Sequence, residues 1–487
     1  MYNNNTNKSK IISFAIIRTF TLFCSVLSTF IITRMVTPSI YSSYVYFIAL
    51  MSTIAQFSGL GIDFGMQRYI FQFRTENKMP QIKYLISFTY ILKLISMVIL
   101  SLTLIILFLY KSSIFSSTSV LLIIIGFVFF KTMVTTLANI DYTFERYNWW
   151  FFYGNMESFL VLLFVPVFFI YFGILGGLVG HLFALSLPFV CGFVYNRKYL
   201  KSQFFEIISS KISLPLKDIV KFGIPVYLSK GLEKISPAFG VFVLAYLFGK
   251  DTPNLAYFSL SSSFISCMGS LIVIALSVMY PKLVKEYDCN KKLNIESIIN
   301  REITLLSILS ILIITSYFLF GKQIILWILP KYVGICDFMN IIIWILLVQA
   351  IYYPYIRLSS VYFKPSVELE RFVIYLLSFI TIYPILVSKY KALGVAFSFL
   401  IIELLICFFI VFRLYGISKI KIRLQKIVGL FLFSFVFMFV PFFFQGILRV
   451  FSCITLICLW LVCLIQLKIV DKKDIILIQN FVLRERN

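Results

Sequence analysis

The chain has 487 residues, of which 61% are hydrophobic and only 13% charged, and its mean hydropathy is +0.97. A soluble domain carries about 25% charged residues, so this composition excludes a soluble enzyme or binding domain as the body of the protein. The formal net charge of +24 would suit a nucleic-acid partner by size alone, but its distribution argues for membrane topology and against nucleic acid.

Apolar runs of about 20 residues, each long enough to span a bilayer, recur along the whole chain. The first covers 11–33 and carries Arg18, Thr21, Ser25 and Ser28 as a helical stripe. It is too long for a signal-peptide core and lacks a small-residue cleavage site, so it counts as a helix. The second, 42–62, aligns Ser52, Gln56, Gly59 and Asp63, with Arg68 just beyond. The third, 84–109, holds Lys93, whose direction the pattern leaves open. The fourth, 118–139, carries Lys131, Thr135 and Asn139. The fifth and sixth, 151–171 and 173–195, hold Glu157 and His181 and are parted only by Tyr171-Phe172-Gly173. The seventh, 222–248, contains Lys230, Glu233 and Lys234. The eighth, 256–280, presents Ser259, Ser262 or Ser263, Ser266 and Ser270 on one face. Runs at 303–320, 338–358, 370–388, 392–414, 427–444 and 448–467 complete a predicted set of fourteen, with Glu403 in the twelfth.

With the N-terminus inside, 31 of the 44 Lys and Arg residues fall on the inner side, 8 fall in outer loops and 5 lie within spans. That is the positive-inside bias, and it predicts both termini in the cytoplasm. The longer inner gaps, 196–221 and 281–302, and the C-terminal KKDIILIQNFVLRERN are basic and amphipathic, as helices lying on a membrane surface are. No outer gap exceeds about twenty residues, which leaves no room for a catalytic domain; no catalytic residue is expected. The nine cysteines include no C-x-x-C pair and most lie in spans, so no disulfide, metal site or cofactor is expected.

The chain also repeats itself. RYIFQFRTENKMPQI (68–82) matches KLVKEYDCNKKLNIE (282–296) in apolar positions at an offset of 214. Tyr44 and Tyr257 are offset by 213, and Leu175-Gly176 and Leu393-Gly394 by 218. A steady offset over six spans predicts two six-helix lobes, 1–210 and 211–415, related by an axis along the membrane normal, with 416–487 as two further helices and a tail.

Three charges within five residues of span seven need a reason, since a charge near the bilayer centre costs about 2.5–3.5 kcal/mol. Tyr227, Lys230, Lys234 and Pro237 share one helical face, and Glu233 can pair with Lys230 at i,i+3. Lys234 sits about 18 Å from the inner edge at 1.5 Å per residue, too deep for easy snorkelling. A buried ion pair with a snorkelling lysine is one reading; a water-filled cavity is the favoured one. The repeat maps Arg18 next to Lys230, so the two lobes would flank a central space with cations that suit an anionic substrate. Lys131 and Ser266 join Arg18, Lys230 and Lys234 as candidate substrate-binding residues. Glu233, Asp63, Arg68 and Glu157 are the candidates for coupling or gating. Asp63 and Arg68 could form an ion-paired gate or an interfacial anchor; Glu157 and Glu403 could be partners or coupling-ion carriers. Each serine stripe taken alone reads better as tight helix packing than as cavity lining. For His181, hydrogen bonding between helices is favoured over proton relay.

TRMVTPSIYSSY, with Arg34, Pro38 and Tyr44, then GLGIDFGMQRY, with Gly59, Gly61 and Arg68, then Phe222-Gly223-Ile224-Pro225 and YPKLVKEY follow in this order. In that order and spacing the chain resembles the bacterial polysaccharide flippases, the O-antigen type of the multidrug/oligosaccharidyl-lipid/polysaccharide exporter superfamily. Ser42 stands where that family usually has glycine, and Ala238-Phe239-Gly240 where it often has an aspartate. The resemblance implies an all-α polytopic protein of the bacterial inner membrane that flips an undecaprenyl-pyrophosphate-linked oligosaccharide to the periplasmic leaflet. It implies as partners the lipid-linked oligosaccharide, membrane lipids, a coupling cation (proton or sodium) and polysaccharide polymerase machinery. A drug/cation antiporter of the same superfamily would want an acid in span one, which has none; a peptidoglycan-precursor flippase is the nearer alternative.

Overall fold

A segment facing lipid must satisfy every backbone N–H and C=O within itself, so long apolar runs become helices. The computed structural model describes residues 4–59, 61–110, 117–144, 146–204, 216–288, 292–361 and 365–418, and among them there is no strand. The expected spans at 427–444 and 448–467, and the C-terminal amphipathic segment, lie outside the described residues. In chain order the helices are α1 (Asn4–Met35), α2 (Pro38–Phe57), α3 (Ile62–Thr75), α4 (Met79–Tyr110), α5 (Thr118–Thr143), α6 (Tyr147–Phe204), α7 (Leu216–Phe248) and α8 (Pro253–Asp288). They continue as α9 (Lys292–Ser316), α10 (Lys322–Ile328), α11 (Ile335–Ile342), α12 (Ile345–Val361), α13 (Pro365–Tyr390) and α14 (Ala392–Ser418). Eight stretches among the described residues are long and apolar enough to cross a membrane, and Thr19–Met35 and Ile235–Phe248 are shorter apolar helices. The chain is an all-α polytopic membrane protein.

Several helix starts are written in the sequence. Pro38 opens α2 at a position where its missing N–H costs nothing. Ser117 caps α5, its hydroxyl accepting from the Val120 amide at 3.4 Å. The expected fifth and sixth spans are the two arms of α6, joined at Gly173, where φ is 62° and ψ is −143°. Only glycine enters that region without strain. Beyond it the chain folds back on itself: Phe164 and Phe168 meet Phe183 with ring centroids 6.3 and 5.5 Å apart. A Cβ on Gly180 would lie 2.8 Å from the Val165 Cα, so the two arms touch backbone to backbone.

The contacts divide the chain into two compact units. The first is Met1–Ser262 with Lys364–Phe399. Its core gathers Met66 and Ile70 of α3, Leu85 and Met97 of α4, Leu137 of α5, Tyr153 of α6 and Ile219 of α7. The second is Ser263–Phe363 with Leu400–Asn487. There α9 packs along α12, with Ser310 Oγ donating to the Leu346 carbonyl at 3.0 Å. A π-turn at Tyr317–Gly321 ends α9, and the Tyr317 hydroxyl reaches Asn340 Oδ1 at 3.0 Å.

Candidate functional site

The second apolar run is the single helix α2, and it ends in a break of the helical backbone before α3. Helix α2 stops at Phe57 and α3 begins at Ile62, with Gly61 at φ 74°. A break at the end of a span frees backbone groups that lipid cannot satisfy. Here the protein supplies partners. The Gln56 carbonyl accepts from the Tyr227 hydroxyl of α7 at 2.5 Å. The Ser58 carbonyl accepts from Ser96 Oγ at 2.9 Å. The Ser58 hydroxyl donates to the Ala55 carbonyl at 2.7 Å and also meets the Thr132 hydroxyl of α5.

The break puts Asp63 in the first turn of α3, where the helix dipole favours an anion. Lys93 Nζ of α4 lies 2.7 Å from each Asp63 carboxylate oxygen and donates to Thr136 Oγ1 at 2.6 Å. The Lys93 side chain is 0% exposed and that of Asp63 16%. This buried pair answers the open question of where Lys93 points. It also gives Asp63 a partner on α4; Arg68 lies further along α3 and is exposed. The pairing was not visible in the sequence because the two residues sit 30 positions apart with no local periodicity linking them.

Lys131 of α5 and Glu157 of α6 come together. Lys131 Nζ is 2.6 and 2.9 Å from the two carboxylate oxygens, and the side chains are 34% and 24% exposed. Unlike Lys93, this cation retains access to water and can exchange its partner. Two residues before Glu157, Asn155 accepts a hydrogen bond from the Thr21 hydroxyl of α1. Arg18 is one turn before Thr21 on the same helical face; its side chain lies outside the described residues.

Helix α7 approaches the α2–α3 break almost backbone to backbone. A Cβ on Gly61 would lie 2.7 Å from Tyr227 Cβ, one on Gly223 would lie 2.6 Å from the Gly61 carbonyl oxygen, and one on Gly65 2.6 Å from Ile219. Further along, Gln56 is the neighbour of Gly231, at 3.9 Å from a Cβ there. Lys230 and Lys234 follow Tyr227 at helical spacing in the sequence of α7. The side chains of Lys230, Glu233 and Lys234 are outside the described residues.

Ser266 is exposed on α8, while Ser262 and Ser270 spend their hydroxyls on carbonyls of their own helix, at 2.9 and 2.5 Å. His181 Nε2 shares a 2.7 Å hydrogen bond with the Tyr44 hydroxyl, a contact between helices α2 and α6. In the second unit Glu403 is buried and accepts from the Tyr352 hydroxyl at 2.6 Å. In the turn after α3, hydrogen bonds from Lys78 and Gln72 hold the Glu76 carboxyl below the usual carboxylate range. Among the described residues, no group of three or more His, Cys, Asp and Glu could hold a metal ion.

No protein-family model matches the chain, and no curated protein does. Its fold has relatives among solved structures. A lipid II flippase, MurJ, in an inward closed conformation aligns over 94% of this chain and 99% of its own with a TM-score of 0.71 at 16% identity. An inward-facing multidrug resistance MATE family transporter of the MOP superfamily aligns over 82% of this chain and 94% of its own, with a TM-score of 0.63 at 17% identity. A mutant of the Vibrio cholerae MATE transporter VcmN aligns over 85% and 97%, with a TM-score of 0.57 at 15% identity. The likeness is one of fold: the chain has the multi-pass helical architecture of these structures.

Proposed function

We propose that this protein flips an undecaprenyl-pyrophosphate-linked oligosaccharide across the bacterial inner membrane, from the cytoplasmic to the periplasmic leaflet, for O-antigen or another surface polysaccharide. The observation that carries the reading is how the charges within the first eight spans divide. Lys93 is neutralised by Asp63 in a buried pair, and Lys131 has Glu157 as partner. In charge count that leaves Arg18, Lys230 and Lys234 against Glu233 alone. A surplus of cations in a membrane protein needs an anion, and a pyrophosphate supplies one. Lys131, about one-third exposed, is a fourth cation able to trade Glu157 for phosphate.

In this reading Arg18, Lys230, Lys234 and Lys131 hold the pyrophosphate, and serines such as Ser266 take sugar hydroxyls. Glu233 and Glu157 occupy the cations when substrate is absent. Asp63 and Arg68 act in gating at the α2–α3 break. The six-helix lobes of the repeat, 1–210 and 211–415, alternate access around the lipid head; the repeat divides the chain by sequence offset, whereas the compact units divide it by contact. Both termini face the cytoplasm. A proton or sodium ion is the coupling species, and the polymerase that consumes the flipped unit is a partner.

A second reading has its own support. The likeness to the lipid II flippase reaches 94% of the chain, against 82–85% for the MATE transporters, which favours a lipid-linked glycan over a drug and admits a peptidoglycan precursor. A drug/cation antiporter has the fold likeness to the MATE transporters in its support, but span one, 11–33, contains no acid for a cation. Deleting the gene separates them. The proposed function predicts viable cells that lose surface polysaccharide and accumulate lipid-linked repeat units on the inner leaflet. Lethality with accumulation of the peptidoglycan precursor would favour the second reading, and drug sensitivity with intact polysaccharide would overturn both.

A further inference from the structure

Helices α7 and α13 pack together in the first unit, and toward their C-terminal ends they leave an apolar groove of about 720 Å³. Its floor is aromatic: Phe239 stacks on Phe379 at 4.7 Å, and Tyr383 meets Phe239 edge-on at 5.2 Å. Its walls are exposed, Tyr246 by 89% and Ile380 by 63%. The lining runs from Phe239 to Phe248 on α7 and from Phe379 to Ser388 on α13, about 14 Å at 1.5 Å per residue. That is close to one leaflet of a hydrocarbon core about 30 Å thick. The groove therefore has the length of a lipid tail lying in a single leaflet.

Its end is charged. Lys250 follows the last lining residue of α7 by two positions, and Lys389 and Lys391 follow that of α13 by one and three. Asp251 is the one acid in these two turns. The two helix C-termini add about −0.5 charge each, so the rim stays net positive by about one charge. Three of the eight basic residues assigned to outer loops follow the lining here: Lys250 Nζ lies over the Tyr46 and Phe47 rings of α2 at 5.2 and 5.7 Å, while Lys389 and Lys391 are exposed. An aliphatic or aromatic patch would be expected anywhere on a membrane protein; a leaflet-long groove ending in a cationic rim fits a lipid with a phosphate head.

We infer that the α7–α13 groove is a binding site for the prenyl chain of a pyrophosphate lipid, with Lys389 and Lys391 meeting the head. Resting on the proposed function and its orientation, the site lies in the outer leaflet and holds the carrier after the sugar has crossed. It is distinct from the charged face of α7 at Lys230–Lys234, which ends more than one turn before the groove begins at Phe239.

The test is photo-crosslinking with the full chain in phosphatidylcholine nanodiscs containing a small mole fraction of undecaprenyl pyrophosphate. A benzophenone side chain is placed at Ile380, in the groove, or at Phe408, exposed on α14. Adducts are identified by mass. The expected result is undecaprenyl pyrophosphate captured at 380 with about tenfold the yield at 408. Lys389→Gln and Lys391→Gln should each lower that yield about fivefold, and Lys389→Arg should restore it. Equal capture at both positions, capture of phosphatidylcholine in proportion to its abundance, or indifference to the glutamines would overturn the site. Capture does not require transport. A protein that captures the prenyl lipid at 380 but flips nothing would sink the proposed function and leave the groove standing; one that flips without capture would do the reverse.

Discussion

The Asp63–Lys93 pair makes the sharpest energetic prediction. Lys93 is entirely buried with three oxygens within 2.7 Å, whereas Asp63 is 16% exposed and sits at a helix N-terminus. Removing one partner of a buried pair costs about 3–5 kcal/mol, because the other charge is left without compensation. The two ends are unequal, however. Asp63→Asn leaves the buried ammonium with an amide oxygen and one hydroxyl but no counter-charge, so it should cost about 3–5 kcal/mol. Lys93→Met strands a carboxylate that keeps some water and the α3 dipole, worth up to about 1 kcal/mol, and should cost about 1–3 kcal/mol. Replacing both, as Asp63→Leu with Lys93→Met, should return to near wild type, since apolar substitution of buried pairs is often neutral. A loss of about 4 kcal/mol is about a thousandfold in the unfolding equilibrium, readily seen by tryptophan fluorescence during unfolding of the purified protein by SDS in mixed micelles. If Asp63→Asn costs under about 1 kcal/mol, or if the double variant is as unstable as the sum of the singles, the buried pair is not what stabilises the α2–α3 break.

Gly61→Ala places a Cβ 2.7 Å from Tyr227 at a left-handed backbone position; the backbone alone should cost about 1–2 kcal/mol, and the same unfolding assay should show at least that, with an unchanged value refuting the close α3–α7 approach. His181→Ala removes the hydrogen bond to Tyr44, about 1 kcal/mol, and should retain at least partial glycan export; complete loss at normal membrane levels would point to proton relay. A reporter active only outside the cytoplasm should give signal when fused after Tyr110 or Lys250 and none after Lys285, and the opposite pattern would invert the topology.

Most of the fold could be read from hydropathy because lipid forces helix wherever an apolar run is long enough. Even the weak break at Tyr171-Phe172-Gly173 proved a true turn, since glycine supplies the φ that a reversal within α6 needs. The break that follows α2 is less legible. Gly59 and Gly61 mark the place, but a hydropathy window averages over the few residues between α2 and α3, and nothing local says that Tyr227 and Ser96 will satisfy the freed carbonyls. Partners far apart in sequence were also hidden: Lys93 with Asp63, Tyr352 with Glu403, Thr21 with Asn155. Periodicity reports which face a residue occupies, not what the neighbouring helix offers there. Lys131 and Glu157 were each singled out in the sequence for separate roles, and their pairing changes what each can do, since a phosphate must displace the carboxylate to reach the lysine.

The central claim is movement of an anionic lipid-linked oligosaccharide through a cationic path, and reconstituted flipping tests it most directly. The purified chain is placed in vesicles containing an undecaprenyl-pyrophosphate oligosaccharide with an oxidisable sugar, and the fraction open to an impermeant oxidant is followed over time. Wild-type protein should expose the whole pool, while protein-free vesicles stop near the half that faces out. Lys234→Gln and Arg18→Gln, which keep polarity and lose charge, should slow exposure about tenfold or more, in line with about 1.5–3 kcal/mol for a hydrogen bond to a charged group. Lys234→Arg, which keeps charge with different geometry, should retain part of the rate. Exposure that stays at the protein-free level in wild type, or a Lys234→Gln protein as fast as wild type, would contradict the account.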